Sequence, residues 1–233
     1  NFQTASIFRK QFFDRLYDEK IDTHIIIGNH DTYFKNTNKV NAIENLYSSF
    51  DKVNEPFIYT KSTVVDFDGT PILFTPWICD DNYEHSMEML RTAKADLCFG
   101  HLEIKGIEMQ NGVINEYGLA KSDFSRFEKV VSGHFHKHTD DGQIFYCGAQ
   151  YEMTWSDYKD PKAFHVFDTE TREMTRISNP LTIHKKIIYD DKKHDYTNFD
   201  IQPYNEHFIK LIVLNKTNNE VFDKFVERLY NEI

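Results

Sequence analysis

The sequence predicts an α/β protein, in the mixed α+β sense, and three observations carry that prediction. Three apolar runs each break at a glycine and then reach a histidine: Ile25-Ile26-Ile27-Gly28-Asn29-His30-Asp31, Leu97-Cys98-Phe99-Gly100-His101-Leu102-Glu103 and Val130-Val131-Ser132-Gly133-His134-Phe135-His136. Such runs read as buried strands that hand polar side chains to a loop at their own carboxyl ends, where α/β folds keep their chemistry. Helical periodicities alternate with these runs, as parallel crossovers require. Between two alternating segments, Asp68-Gly69 supplies a two-residue hairpin turn, which brings antiparallel pairing into the sheet.

Taken in order, Phe8, Phe12 and Leu16 recur at steps of four, predicting an amphipathic helix over 7–20 with one face on a sheet. The strand over 23–27 follows at once, so the first strand of this βαβ unit is expected upstream of Asn1. Residues 32–41 are polar and Asn-rich, predicting an exposed loop, and 42–50 a short returning helix. Short strands are expected at 57–60, 62–67 and 71–74, the last two joined by the Asp68-Gly69 turn. Met87, Leu90 and Ala93 mark a helix over 82–95, capped from Asp80, Asp81 or Asn82. Glycines at 106, 112 and 118 punctuate a surface excursion over 105–122 near the site, before a short helix at 122–128. Strands at 143–147, 163–167 and 174–177 complete the larger domain. From about 181 to 204 the chain turns charged and polar, which places a domain boundary there. Only one strong strand, 207–214, and one amphipathic helix, 220–230, remain beyond it, too little for a core. The domains expected are 1–184, lacking its first strands, and 185–233, the start of a small C-terminal α/β cap.

Composition limits the function. At 233 residues and 40% hydrophobic content, the chain can bury one sizeable domain and an appendage. It has no apolar run long enough for a membrane span and no signal-peptide pattern, so the cytoplasm is the expected location. Cys79, Cys98 and Cys147 lack metal or disulfide spacing and read as packed thiols. A formal charge of −10 works against casual nucleic-acid binding, since phosphate contacts need Lys and Arg. Divalent ions held by the site would supply the missing positive charge.

The three strand ends bring the right chemistry for such ions. Histidine, asparagine and carboxylate together suit Mn²⁺ or Zn²⁺, with Mn²⁺ favoured as oxygen donors increase. His134 and His136, past a strand end, can reach two neighbouring ions, and two ions roughly 3.5–4 Å apart can clamp a phosphate and activate a water. Each part alone has a plainer explanation. Asn29-His30-Asp31 is also a good tight turn with an Asx cap, and His24, His85, His138, His165, His184, His194 and His207 read as structural. The three motifs jointly, in this order, point to one site.

At these residues the sequence resembles the calcineurin-like metallophosphoesterases, whose later blocks read Gly-Asn-His-Asp/Glu, Gly-His and Gly-His-x-His. It is most similar to nuclease subunits of the SbcD type and their T-even phage counterparts in recombination. Supporting stretches include Thr63-Val64-Val65-Asp66-Phe67-Asp68-Gly69, Pro76-Trp77, Tyr146-Cys147-Gly148 and Phe167-Asp168-Thr169-Glu170-Thr171, and the similarity runs from about residue 5 to about 190. The resemblance implies a four-layer αββα sandwich of mixed sheets with a C-terminal DNA-binding cap. It implies a metal-dependent DNA exonuclease and endonuclease acting in recombination and double-strand-break repair, as a homodimer, with an SMC-like ATPase. Two divalent ions, Mn²⁺ foremost, are its implied cofactors. Asn29, His101 and His134 would bind the second ion and His136 the first. His30 would donate to the scissile phosphate or leaving oxygen, and Asp31 would accept its other ring hydrogen. The family's opening Asp-x-His and Gly-Asp-x-x-Asp blocks do not occur in these residues, so this stretch alone is expected to bind metal weakly and turn over little. A general phosphoesterase of the same fold, or a noncatalytic scaffold, are the competing functions.

Overall fold

The computed structural model describes residues 2–47, 56–110 and 112–232, and two compact units organise them, Asn1–Gly148 with Phe167–Thr175 and Ala149–Val166 with Arg176–Ile233. The larger unit opens with a continuous helical segment: α1, Phe2–Phe8, a π-helical stretch, Arg9–Phe13, and α2, Asp14–Asp18. The helix was expected to press its apolar face on a sheet; among the described residues its ring contacts are instead with Tyr47 and with one another. Phe13 is buried against Tyr47, but Phe8, Phe12 and Tyr17 remain 45%, 46% and 44% exposed. The aromatic rings instead cover one another, Phe8 stacking on Phe12 with centroids 5.3 Å apart.

Strand β1, His24–Ile26, pairs in parallel with β2, Phe57–Tyr59, and between them lies α3, Ala42–Tyr47. The helix was expected to continue over 48–50, which lie outside the described residues. Strands β3, Thr63–Phe67, and β4, Thr70–Thr75, form the predicted hairpin. Its turn places Asp68 at φ 52° and Gly69 at φ 85°, the left-handed pair that a two-residue loop demands. Helix α4, Tyr83–Thr92, then leads to β5, Leu97–Gly100. The excursion predicted over 105–122 contains a small antiparallel pair, β6, Glu108–Gln110, and β7, Val113–Ile114. It is closed at its base where Leu119 N–H donates to Glu103 O at 2.9 Å. Strands β8, Lys129–Ser132, β9, Thr139–Asp140, and β10, Ile144–Tyr146, complete a six-stranded sheet in the order β3-β4-β5-β8-β10-β9. The sheet is mixed, with β4, β5, β8 and β10 parallel and both edges antiparallel.

Alternation along the central strands explains why they read as unbroken apolar runs. Leu73, Cys98 and Val130 enter a core with Leu90 of α4 and Phe124, whereas Ile72, Phe74 and Leu97 enter a second core. Ile26 and Tyr59 of the β1–β2 pair pack on that second core. A strand buried on both faces has no polar side to show. The cysteines are free, and burial pushes the Cys98 thiol up to about 12 and that of Cys147 to about 11.

Strands β11, Ala163–Phe167, and β12, Met174–Ser178, form a two-stranded sheet through which the division between the units passes. The smaller unit corrects a second expectation, because the charged stretch after 181 holds a strand. This is β13, His184–Asp190, which runs parallel to β14, Phe208–Asn215. With α5, Asn219–Glu232, they enclose a core of Ile187, Tyr189, Tyr196, Ile201 and Phe225. Tyr189 and Tyr196 stack with centroids 4.2 Å apart. No helix among the described residues is long and apolar enough to cross a membrane.

Candidate metal centre

Backbone pairing fixes where the three glycine–histidine loops leave the sheets. Strands β5 and β8 are parallel neighbours with Gly100 opposite Ser132, so His101 and His134 leave the sheet side by side. The β1 end joins them through the strand beside β5. Ile27 accepts Trp77 N–H at 2.8 Å just past β4, and Thr75 O accepts His101 N–H at 3.0 Å. All three loops therefore emerge at the carboxyl ends of parallel strands, as expected of a site in an open α/β sheet.

The side chains converge. His101 Nε2 lies 2.8 Å from Asn29 Oδ1 and 3.1 Å from His134 Nδ1. One hydrogen on His101 Nε2 can serve only one of these neighbours well, whereas a cation would serve all three atoms. Adjacent donors around an octahedral ion with bonds of about 2.1 Å stand about 3.0 Å apart, so the spacing fits. His30 and His136 are close enough that their charges act on both His101 and His134. Among the described residues no three His, Cys, Asp or Glu side chains are grouped to hold an ion. The donor set that fits is thus two imidazoles and one amide oxygen.

Electrostatics keep these imidazoles neutral. Burial, reinforced by the neighbouring histidines His134, His30 and His136, lowers the His101 pKa to about 3. Burial also lowers that of His134, against the opposing pull of the Glu103 carboxylate. A neutral ring with a free lone pair is the form that ligates metal.

Asp31 closes the turn on which Asn29 and His30 sit. Its Oδ2 accepts Gly28 N–H at 2.7 Å and its own N–H donates to Gly28 O at 3.1 Å, closing a tight turn. This is the Asx-type turn that Asn29-His30-Asp31 also spelled in the sequence, and it leaves the second carboxylate oxygen open. The turn is what presents Asn29 and His30 outward.

Several positioning residues had no motif to announce them. Ser132, 1% exposed, donates to Leu102 O and accepts Leu102 N–H, both at 3.0 Å, and accepts His134 N–H at 3.3 Å. Tyr146 Oη donates to the same Leu102 carbonyl at 2.8 Å and accepts Ile104 N–H at 3.1 Å. A serine and a tyrosine inside apolar strands were the available signal. Histidines read as structural have ordinary partners: His24 with Tyr59 Oη at 2.8 Å, His85 with Ser62 O at 2.9 Å and His138 with Tyr146 O at 2.7 Å.

No family model matches the sequence. The chain is 36% identical over 193 residues to exonuclease subunit 1 of Enterobacteria phage T4, an alignment taking in 82% of this chain and 56% of that protein. It therefore spans about half the length of the curated relative it matches. Similarity of this extent makes the chain a relative of a phage exonuclease subunit.

Proposed function

We propose that this chain is part of a metal-dependent DNA exonuclease and endonuclease subunit that hydrolyses phosphodiester bonds at a dinuclear centre and serves recombination and double-strand-break repair. The observation that carries the reading is the convergence of Asn29, His101 and His134, two donor pairs at 2.8 and 3.1 Å, from three strand ends. The relative's name, exonuclease subunit 1, supports the reaction class and the word subunit supports a partner.

Asn29, His101 and His134 would hold one ion, and His136 would contribute to the other. When bound, the ions, Mn²⁺ foremost, supply charge to bind the phosphate and lower the pKa of an attacking water. His30, on the turn that Asp31 closes, donates a hydrogen bond to the phosphate or the leaving oxygen as charge builds there. The calcineurin-like resemblance supports a four-layer sandwich for the whole domain 1–184, with 185–233 beginning a DNA-binding cap. An SMC-like ATPase partner, a homodimer and a cytoplasmic location complete the reading.

A DNA-cleavage assay on the protein tests the reading. With Mn²⁺ it should degrade linear DNA, and His30→Ala should abolish cleavage while sparing metal occupancy. Intact DNA with the wild type, or lost metal in the variant, would overturn the nuclease reading or the role given to His30, respectively.

A further inference from the structure

The His101 ring belongs to two sites at once. It also walls a cleft of about 310 Å³ lined by Trp77, Ile78, Tyr83, Glu103 and Leu119. Resting on the nuclease reading, we propose that this cleft receives the unpaired base of the nucleotide next to the scissile phosphate, stacked on the Trp77 indole. At about 310 Å³ the volume sits at the small end of ligand sites, roughly 300–1,000 Å³.

The walls suit a base and no other part of a nucleotide. Trp77, Tyr83 and Leu119 offer flat or apolar surface, and stacking on an aromatic is how unpaired bases are held. The Glu103 carboxylate repels a phosphate, so the uncharged part of the nucleotide is what the cleft admits. A base still paired inside a duplex cannot enter. The cleft therefore selects frayed or single-stranded ends.

The backbone that carries the indole is held from both sides. Its backbone N–H donates to Ile27 O at 2.8 Å, two residues before Asn29, and its carbonyl accepts Asn38 Nδ2 and Asn82 Nδ2, both at 3.0 Å. Asn38 and Asn82 are 4% and 7% exposed, and Asn82 immediately precedes Tyr83. Thus the stacking platform, the second aromatic wall and the metal-donor turn are tied to one backbone junction. A preset aromatic gives contact area without an ordering cost at the moment of binding.

Trp77 and Trp155 are the two tryptophans of the sequence, so Trp155→Phe leaves the Trp77 indole as the sole reporter. Titrating that protein with deoxyadenosine monophosphate should quench its emission saturably, while 2-deoxyribose 5-phosphate should need at least tenfold more or leave it unchanged. Equal responses to both, or no response to the nucleotide, would overturn the base cleft. In a DNA-cleavage assay, Trp77→Ala should raise KM for a single-stranded oligonucleotide about tenfold or more with kcat nearly kept, and Trp77→Phe should restore most of it. An unchanged KM in Trp77→Ala would overturn the cleft and leave the nuclease reading standing. A wild type that cuts no DNA would sink the nuclease reading on its own, since the emission titration needs no turnover.

Discussion

His101 Nε2 and Asn29 Oδ1 meet at 2.8 Å although 72 residues separate them in the chain. Gly28 is what lets the ring come so close. A Cβ built on Gly28 would stand 2.9 Å from His101 Cε1 and 3.0 Å from its Nδ1. The obstacle is a side chain and not backbone, so Gly28→Ala should tilt the ring and leave the sheet intact. Mn²⁺ affinity of the proposed centre should fall about tenfold or more, with the melting temperature moving by less than about 4 °C. Calorimetric titration and a thermal melt on the same sample separate the two effects.

Ser132 ties the two histidine loops to each other from inside the sheet. In Ser132→Ala the Leu102 carbonyl keeps Tyr146 Oη, but the Leu102 N–H loses its acceptor in a buried place. An orphaned buried amide costs about 1–3 kcal/mol, to be read from urea denaturation. Neighbouring Gly133 is a control, since nothing lies within 4 Å of a Cβ placed there, and Gly133→Ala should be close to neutral. Equal losses in both variants would refute the clamp.

Acid should weaken the fold through the same imidazoles. His101, with its pKa lowered to about 3 by burial and by His134, His30 and His136, stays neutral in the folded chain. Unfolded, it takes up a proton near pH 6.5. The unfolded state then binds the extra proton, so this contribution to stability is complete above about pH 6.5 and declines as pH falls towards 3. Burial of His134 adds in the same direction. Urea midpoints should drop steadily from pH 7 to pH 4, and less steeply in His101→Gln. Midpoints that rise on acidification would contradict the assignment.

The strand-glycine-histidine run at β5 was legible because that strand is buried on both faces, as the neighbours Leu97 and Cys98 illustrate by entering two different cores. Strand β13 was not legible, for a reason visible in its own side chains. Lys185 and Lys186 give it a charged appearance, but their ammonium groups lie over the Tyr204 and Tyr158 rings at 5.6 and 4.2 Å. Their stems cover apolar surface while Ile187 and Tyr189 fill the core. The spacing over 7–20 marks Phe8, Phe12 and Leu16 as one apolar row, yet periodicity does not say what covers such a row, and Phe8 and Phe12 remain 45% and 46% exposed. Likewise, the sequence announced Asn29, His101 and His134, which the structure brings together, but not Ser132, whose role depends on a register between β5 and β8 that no spacing encodes.

The smaller unit holds a buried ion pair that should dominate its response to mutation. Lys162 Nζ sits 2.8 Å from Asp157 Oδ1 and 2.7 Å from Asp160 Oδ2, with the Lys162 and Asp157 side chains 3% and 5% exposed. Burial acts to raise the Asp157 pKa, but hydrogen bonds from Lys162 and from the Thr154 N–H hold it below the usual carboxylate value. A depressed carboxylate contributes stability above its unfolded pKa, near 4, and loses it as pH falls further. Lys162→Met should therefore cost about 3–5 kcal/mol at neutral pH, because it strands a buried carboxylate rather than because the pair itself is strong. Adding Asp157→Asn to that variant should recover part of the loss, since the stranded charge is then gone. A double variant as unstable as the sum of its singles would mean that the two side chains act separately, against their 2.8 Å contact.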